Sequence, residues 1–293
     1  MSFGIMGLSA AFAKAASAHV QKLPENYIII KATSIDPILK SITCHGDVVV
    51  ISTKNGSQLK ESYRDLDNVQ LSIQADADTN VIIYGDITQF VVKQYGQGCS
   101  DLTEINTSHA PNLTKLICDG NNNITSLDVS NNNKLTSLSV EWCRGLSSID
   151  LQNNLLLGSF SAKGSALTAL SISGLNELHS INLEECTSLT SLSIHDCQNL
   201  NLISVQGTQY EAMLSMELIN LPNFNSFNTE NSTFAAVTEI KYPATNSSIS
   251  TTIANIITAA TAADGTVYTD SAAVYYSTIA DAATAKGWTI EQL

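Results

Sequence analysis

The sequence has few charged residues and few aromatic ones. Only 14% of its 293 residues are Asp, Glu, Lys or Arg, and only 6% are Phe, Trp or Tyr. Basic residues are the scarcer charge, with 14 Lys and Arg against 27 Asp and Glu, which gives a formal net charge of −13. A surface of this sign repels phosphate backbones and anionic lipid headgroups. We therefore expect no nucleic-acid partner.

Long apolar runs are also missing. No run of 18 apolar residues occurs, so the sequence predicts no membrane-spanning helix. Residues 1–25 contain an Ala-rich apolar segment, Phe3 to Ala18, which ends in small residues. It fits either a cleaved signal peptide or a helix that stays and anchors the chain to other subunits of an assembly. The basic start of a signal peptide is missing, so we favour the anchoring helix.

The short motifs of common catalytic and metal sites are absent as well. There is no Gly-x-Ser-x-Gly, no phosphate-binding glycine loop, no His-Glu-x-x-His and no Cys-x-x-Cys. Four of the six cysteines fall at positions of the repeat described below, so we expect structural thiols. His195, Asp196 and Cys197 are neighbours in one turn, and Cys197 is expected to point inward, which disfavours nucleophilic catalysis. We expect no cofactor and no metal.

One six-residue pattern recurs along the middle of the chain. Apolar residues occupy its first, fourth and sixth positions, as in Leu113-Thr-Lys-Leu116-Ile-Cys118. We call each copy of this six-residue pattern a phrase. From Leu113 to Leu200, successive phrases begin 11 residues apart, with one step of 10. A two-phrase period of 22 residues lies within the range of solenoid repeats. We therefore predict an elongated stack of coils with short parallel strands.

Each phrase is expected to bury its three apolar side chains, and two phrases per coil then build two inner walls. Coils should stack about 4.8 Å apart, the spacing of hydrogen-bonded strands. Asn or Cys recurs three residues after the phrases, where a buried polar side chain can bond free backbone groups of the turn. These ladder positions are Asn121, Asn132, Cys143, Asn154, Cys186 and Cys197.

This alternation of Asn and Cys resembles that of leucine-rich repeats. Residues 87 to about 242 are similar to the nested short-period repeats found in surface proteins of Bacteroidetes and spirochaetes, or of a phage that infects such bacteria. The resemblance implies an α/β fold built as a leucine-rich repeat solenoid. Its motif residues are all scaffold, so the resemblance says little about the partner.

Different patterns flank the repeat. Between residues 26 and 86, β-type runs such as Tyr27–Ile30 alternate with turn residues such as Asp36-Pro37, which predicts a small β-rich N-terminal domain. Its last strand should pair with the solenoid, because Ile87–Val92 already fits the repeat phrase. The solenoid is assigned to residues 87–247.

Residues 248–293 predict a helix–strand–helix–strand C-terminal cap, which covers the apolar end and the strand edges of the stack. The first helix should span residues 248–263 and stop at Asp264-Gly265. Asp270 or Ser271 is expected to cap the second helix, which should end at Lys286-Gly287.

The register of the repeat predicts a binding surface. Residues that follow every second phrase should form two adjacent rows, Asp119, Glu141, Lys163, Glu184, Gln206 and Gly120, Trp142, Gly164, Glu185, Gly207. On the other wall, the corresponding row has no tryptophan, acid or lysine, and it consists of Ser108, Ser130, Gln152, Ser173 and His195. Because aromatic anchors dominate contact energies, we predict a site at Asp119, Glu141, Trp142, Lys163, Glu184 and Glu185. The competing interpretation is a solvated flank with Trp142 folded over its own turn.

The sequence thus favours a non-enzymatic recognition or structural protein in a surface-exposed assembly. The partner is a protein or a glycan, and the setting is a phage virion or a bacterial cell surface. Ser, Thr and Asn supply most of the polar surface, a composition typical of such proteins. The alternative is a glycan-acting enzyme with its site between the N-terminal β domain and the solenoid.

Overall fold

The structure is a computed structural model that describes residues 25–32, 38–92, 102–207 and 209–293, with only the backbone of 38–42 described. Within these ranges the chain forms an eleven-stranded sheet, a six-stranded sheet and two helices near the C-terminus. The predicted α/β leucine-rich repeat solenoid is confirmed. The predicted N-terminal helix, the turn at Asp36-Pro37 and Cys99 lie outside the described residues.

Five strands make the N-terminal part of the larger sheet, in the order β5-β1-β4-β2-β3 and with antiparallel pairing throughout. They are β1 Tyr27–Ala32, β2 Ile38–Lys54, β3 Ser57–Ser72, β4 Asn80–Val91 and β5 Leu102–His109. β2 and β3 form a long hairpin around Asn55-Gly56, where φ angles of 51° and 71° suit a two-residue turn.

β4 joins this part to the solenoid. It pairs in parallel with β6, Lys115–Ile117, in a register that sets Phe90 beside Leu116. The pairing predicted from the phrase Ile87–Val92 is therefore confirmed. β4 crosses the predicted boundary between residues 86 and 87, and one hydrophobic core continues from the N-terminal strands into the coils. The division of the chain into domains stays a prediction.

The rest of the larger sheet is the first wall of the solenoid. Its strands are parallel, and after β6 they are β7 Ser137–Ser139, β8 Ser159–Ser161, β10 Ser180–Asn182, β12 Leu202–Ser204 and β14 Ser226–Asn228. The register stacks the middle apolar residues of the phrases into one buried column: Phe90, Leu116, Leu138, Phe160, Ile181, Ile203 and Phe227.

The smaller sheet is the second wall, and it begins later in the stack. Its parallel strands are β9 Ala169–Ser173, β11 Ser191–His195, β13 Ser215–Ile219, β15 Glu239–Lys241, β16 Thr266–Thr269 and β17 Thr289–Gln292. The earlier phrases at 124–129 and 146–151 lie outside these strands, although Leu127, Val129 and Leu151 are buried. Burial of the apolar residues therefore does not require strand pairing on this wall.

The predicted ladder of buried polar side chains is confirmed. All six predicted positions are fully buried. Asn132 Nδ2 donates to the carbonyls of Thr107 and Ala110 at 3.0 and 2.8 Å, and Cys143 Sγ donates to the carbonyl of Cys118 at 3.2 Å. Tyr210 continues the ladder, with its hydroxyl 2.6 Å from the carbonyl of Leu183. These bonds tie consecutive coils together at their turns.

Two helices and two strands close the C-terminal end. The helices are α1, Ser247–Ala259, and α2, Tyr276–Lys286, and β16 and β17 extend the smaller sheet. Asn246 caps α1 by accepting the N–H groups of Ser248 and Ile249. Ile253, Ile256 and Ile257 on α1 are buried against the last coils.

Two boundaries differ from the sequence-based expectation. α1 ends at Ala259 and not near residue 263, because the chain then bonds the last coil through Thr261 N–H and the carbonyl of Ala235, 2.7 Å apart. The prediction that Asp270 or Ser271 caps α2 is wrong. Asp270 accepts the N–H of Ala272 in a local turn, and Ser271 Oγ lies 2.7 Å from Gln292 Oε1 of β17. α2 begins after Tyr275, without a side-chain cap.

Candidate functional site

A row of tight corners follows the strands of the first wall. Its residues all have left-handed backbone, with φ angles of 77°, 58°, 65°, 59° and 71° at Gly120, Trp142, Gly164, Glu185 and Gly207. The corners are linked from coil to coil: Gly120 N–H donates to Glu141 O, Trp142 N–H to Lys163 O and Gly164 N–H to Glu184 O, each at 2.7 Å. The backbone of this edge is therefore fixed by the stack.

Trp142 stands out in this row because its position favours glycine. A non-glycine residue in the left-handed region costs about 1–2 kcal/mol, and a bulky one there is an outlier. Three of the five corners carry glycine, which has no such cost. The preference of the backbone at this corner therefore does not explain why it carries a tryptophan.

The indole ring of Trp142 lies over the corner of the next coil. A Cβ placed on Gly164 would come within 2.3 Å of Trp142 Cε3, so the ring occupies the space that any side chain there would need. The ring therefore packs on the next coil and not on its own turn, whereas the competing interpretation of this edge as a solvated flank stays a prediction. Trp142 stays partly exposed, and its indole N–H has no partner among the residues that the structure describes.

Two cations flank the ring. The guanidinium carbon of Arg144 lies 5.6 Å from the ring centroid, and Lys163 Nζ lies 6.0 Å from it. Both distances are within the range of cation–π attraction. Arg144 is exposed and was not part of the predicted site, although it lies only two residues after Trp142 in the sequence.

Lys163 is held by two carboxylates of the next coil. Its Nζ lies 2.9 Å from Glu184 Oε2 and 3.5 Å from Glu185 Oε1. The hydrogen bond to Glu184 raises the pKa of Lys163, and the same bond lowers the pKa of Glu184. Ser204 Oγ donates to the second oxygen of Glu184 at 2.8 Å. The structure therefore brings these three predicted residues together as one charged cluster.

Asp119 requires a correction, because it lies in the row but not at the surface. It is only 1% exposed. Its Oδ1 accepts hydrogen bonds from Ser139 Oγ at 2.5 Å and from the backbone N–H of Glu141 at 3.1 Å. Glu141 uses the same arrangement one coil later, accepting from Ser161 Oγ at 2.7 Å, but stays partly exposed. Asp119 therefore has a structural role, because its buried carboxylate bonds one coil to the next.

A groove of about 610 Å³ runs along this edge. Trp142 and Arg144 lie at one end, and the corners Gly164 and Gly207 lie further along. Glu185 also lines it. The groove thus brings the aromatic ring, a cation and an anion together on a floor partly made of glycine backbone.

The other wall contains a polar cluster that the sequence interpretation missed. Glu217 on β13 accepts from Ser193 Oγ at 3.1 Å, and its carboxylate lies 3.0 Å from His195 Nε2 and 2.5 Å from Lys241 Nζ. The bond to Lys241 lowers the pKa of Glu217. Strand register sets Ser193, Glu217 and Lys241 side by side. Each of these three residues stands between the fourth and sixth positions of its phrase. Aligning that position from one phrase to the next would have identified the cluster from the sequence.

This cluster does not have the geometry of a catalytic relay. Ser193 Oγ and Glu217 Oε2 both contact the same imidazole nitrogen, His195 Nε2, at 3.1 and 3.0 Å. In a nucleophile–base–acid arrangement, the two partners bind opposite nitrogens of the ring. The contacts are therefore those of a surface hydrogen-bond network. Other predicted residues of this wall sit in local turns, as where Ser130 N–H donates to Asp128 Oδ1.

The cysteines in the described part of the chain are buried side chains of the scaffold. The five cysteines in the described part of the chain are buried and free of disulfides. Cys197 points inward as predicted, and burial raises the pKa of its thiol, which disfavours the nucleophilic thiolate. Across residues 25–32, 38–92, 102–207 and 209–293, no three His, Cys, Asp or Glu side chains gather as metal ligands, and no helix is long and apolar enough to cross a membrane.

Comparisons with known proteins give only remote similarity. No protein-family model and no curated protein matches the chain. Among solved structures, the functional domain of InlJ from Listeria monocytogenes, described as including a cysteine ladder, is 18% identical with a TM-score of 0.18, over 47% of this chain and 46% of that one. This chain thus covers less than half of that domain.

An internalin of the same organism, InlF, is 12% identical with a TM-score of 0.21, over 70% of this chain and 86% of its own. Similarity at this level says nothing about function. The leucine-rich repeat assignment rests on the strand register and the ladder described above.

Proposed function

We propose that this chain is a non-enzymatic recognition protein that presents the Trp142 face of its solenoid to a partner on a surface. The partner is a protein or a glycan, and the chain belongs to a surface-exposed assembly, either a phage virion or a bacterial cell surface. The Ser-, Thr- and Asn-rich composition and the net charge of −13 support an exposed setting without nucleic acid.

The observation that carries this proposal is the placement of Trp142. The ring is partly exposed, stands at a corner that disfavours it, and borders a groove with charged side chains of both signs. The preference of the backbone for glycine at this corner does not account for it. Partly exposed aromatic and Arg side chains of this kind are the usual anchors of interfaces.

The proposal is tested with Trp142→Ala combined with Glu141→Ala. We expect attachment to purified particles or bacterial envelopes to weaken by about tenfold or more, because an anchor at the centre of a contact is lost. The melting temperature should change little, since neither side chain belongs to the apolar core. Ser130→Ala on the opposite wall is the control and should attach like wild type. Unchanged attachment of the double variant would refute the site.

The alternative, a glycan-acting enzyme, has weaker support. Two carboxylates of the described N-terminal part serve structural contacts: Asp47 pairs with Arg64 at 3.3 Å, and Asp76 accepts the N–H groups of Asn55 and Gly56 in the hairpin turn. Reproducible polysaccharide hydrolysis that is lost in Asp47→Asn or Glu61→Gln would favour this alternative over recognition.

A further inference from the structure

The groove beside Trp142 has a distinctive lining. Among the described residues that line it, Trp142 is the only aromatic residue, and Ala166 has the only purely aliphatic side chain. The remaining side chains carry hydroxyl, amide, carboxylate or guanidinium groups, as in Thr187, Ser188, Gln209, Glu185 and Arg144. The groove therefore offers one apolar surface surrounded by hydrogen-bond donors and acceptors.

This lining suits a polyhydroxylated ligand better than a peptide. A pyranose ring has a face of C–H groups that packs on an aromatic ring, while its hydroxyls both donate and accept hydrogen bonds. A peptide gains affinity from apolar side chains in pockets or from strand pairing at an open edge. No large aliphatic side chain lines the groove among the described residues, and the N–H groups of Trp142 and Gly164 are already bonded to the next coil.

The length of the groove fits a short chain of sugar rings better than a single sugar ring. The groove spans the successive corners Trp142, Gly164, Glu185 and Gly207. With coils about 4.8 Å apart, four corners cover roughly 14 Å. The space at Gly207 is open, because a Cβ placed there would meet no atom within 4 Å.

Resting on the proposed recognition function, we propose that this groove binds a linear oligosaccharide segment, with one sugar ring packed against the exposed part of the Trp142 side chain. Arg144 and Glu185 line the groove and can form hydrogen bonds with the hydroxyls of the saccharide. Gly164 acts as a positioning residue, because its missing side chain leaves room for the indole ring.

The test measures binding of the full chain to an array of defined linear tri- to hexasaccharides, neutral and uronic, followed by fluorescence titration of the bound ones. Because Trp288 is only 4% exposed, a change in emission on binding reports on Trp142. We expect saturable binding of at least one saccharide, weakened about tenfold or more by Trp142→Ala, whose affinity is measured by isothermal titration calorimetry because this variant lacks the fluorescent reporter.

Gly164→Ala provides the sharper variant, since it keeps the ring but displaces it. Its matched control is Gly174→Ala, which introduces the same left-handed strain, at φ 72°, with no atom within 4 Å of the added Cβ. We expect Gly164→Ala to weaken saccharide binding and Gly174→Ala to leave it unchanged. Equal binding by these two variants would overturn the positioning role of Gly164.

The outcomes separate this inference from the proposed function. If no saccharide binds, or if Trp142→Ala binds as wild type does, the saccharide inference is overturned. Loss of surface attachment in Trp142→Ala together with absent saccharide binding would leave recognition standing, with a protein as the partner. Unchanged attachment in that variant would overturn the proposed function, and it would overturn both proposals if saccharide binding were absent or unchanged as well.

Discussion

Trp142 and Trp288 both lay their indole rings against a glycine of a neighbouring turn, Gly164 and Gly265, and a Cβ added to either glycine would come within 2.3 Å of the ring. Their surroundings differ. Trp288 is 4% exposed, and its Nε1 donates to the carbonyl of Ala262 at 2.9 Å. Trp142 is partly exposed at a left-handed corner beside a groove. The same arrangement, an indole ring packed on a glycine, therefore serves two purposes. It closes the core at the C-terminal cap, and it holds a partly exposed ring at the edge of the solenoid.

The largest effect is expected at the cap. Trp288→Ala should lower the free energy of unfolding by about 3–5 kcal/mol, because it removes a buried ring and leaves the carbonyl of Ala262 without its donor. Urea denaturation followed by circular dichroism measures this loss. A loss below about 1 kcal/mol would mean that the cap does not depend on Trp288 and would remove the contrast with Trp142.

Adding one methyl group to each supporting glycine sharpens the comparison. Gly265→Ala forces its Cβ into a buried ring that cannot move, and overpacking of this kind costs about 1–3 kcal/mol. Gly164→Ala meets a ring that can swing into solvent, so only left-handed strain of about 1 kcal/mol should remain. Gly174→Ala, with that strain alone, should match Gly164→Ala in the same denaturation experiment. A larger loss in Gly164→Ala would mean that the Trp142 ring is fixed.

A third variant tests whether Trp142 contributes to stability at all. Trp142→Gly gives this corner the residue found at Gly120, Gly164 and Gly207, and relieves its left-handed strain. We expect the free energy of unfolding to stay within about 1 kcal/mol of wild type, as relief of strain offsets the lost ring contact. A fall comparable with that of Trp288→Ala would assign Trp142 to the scaffold.

The smallest effect is expected for the ion pair beside the ring. Lys163→Met should cost about 0.2–1 kcal/mol at pH 7, since both partners are partly exposed. Lys163 lowers the pKa of Glu184 below its ordinary value of 4.5, so this stabilisation is present above that value and is lost as the pH falls through the lowered pKa. The wild type and Lys163→Met should therefore converge in unfolding free energy once the pH has fallen below the lowered pKa of Glu184. A difference that persists there would assign the effect to packing.

The repeat scaffold was predictable from sequence because its signal is periodic. Each phrase repeats the same apolar spacing, and the ladder side chains, such as Asn132 and Cys143, recur three residues after it. Register then follows, since alternate phrases must share a wall. The capping of α2 was not predictable, because Asp270 and Ser271 are good cap residues whose side chains are used by a local turn and by β17.

The candidate site was predictable in part. Register correctly aligned Trp142, Lys163 and Glu184, but it could not show that Asp119 turns its carboxylate onto the backbone of the next coil. The position of the Trp142 ring over Gly164 depends on side-chain rotamers, which no spacing rule supplies. The Glu217 cluster was missed because only the residues after each phrase were aligned, and not those within it.

In our proposal, Trp142 serves recognition and not folding. The most direct test is the dissociation constant of Trp142→Gly from the surface to which the wild-type chain attaches, measured at a temperature where both are folded. We predict a constant about tenfold higher or more for the variant. A constant equal to that of wild type would contradict the proposal.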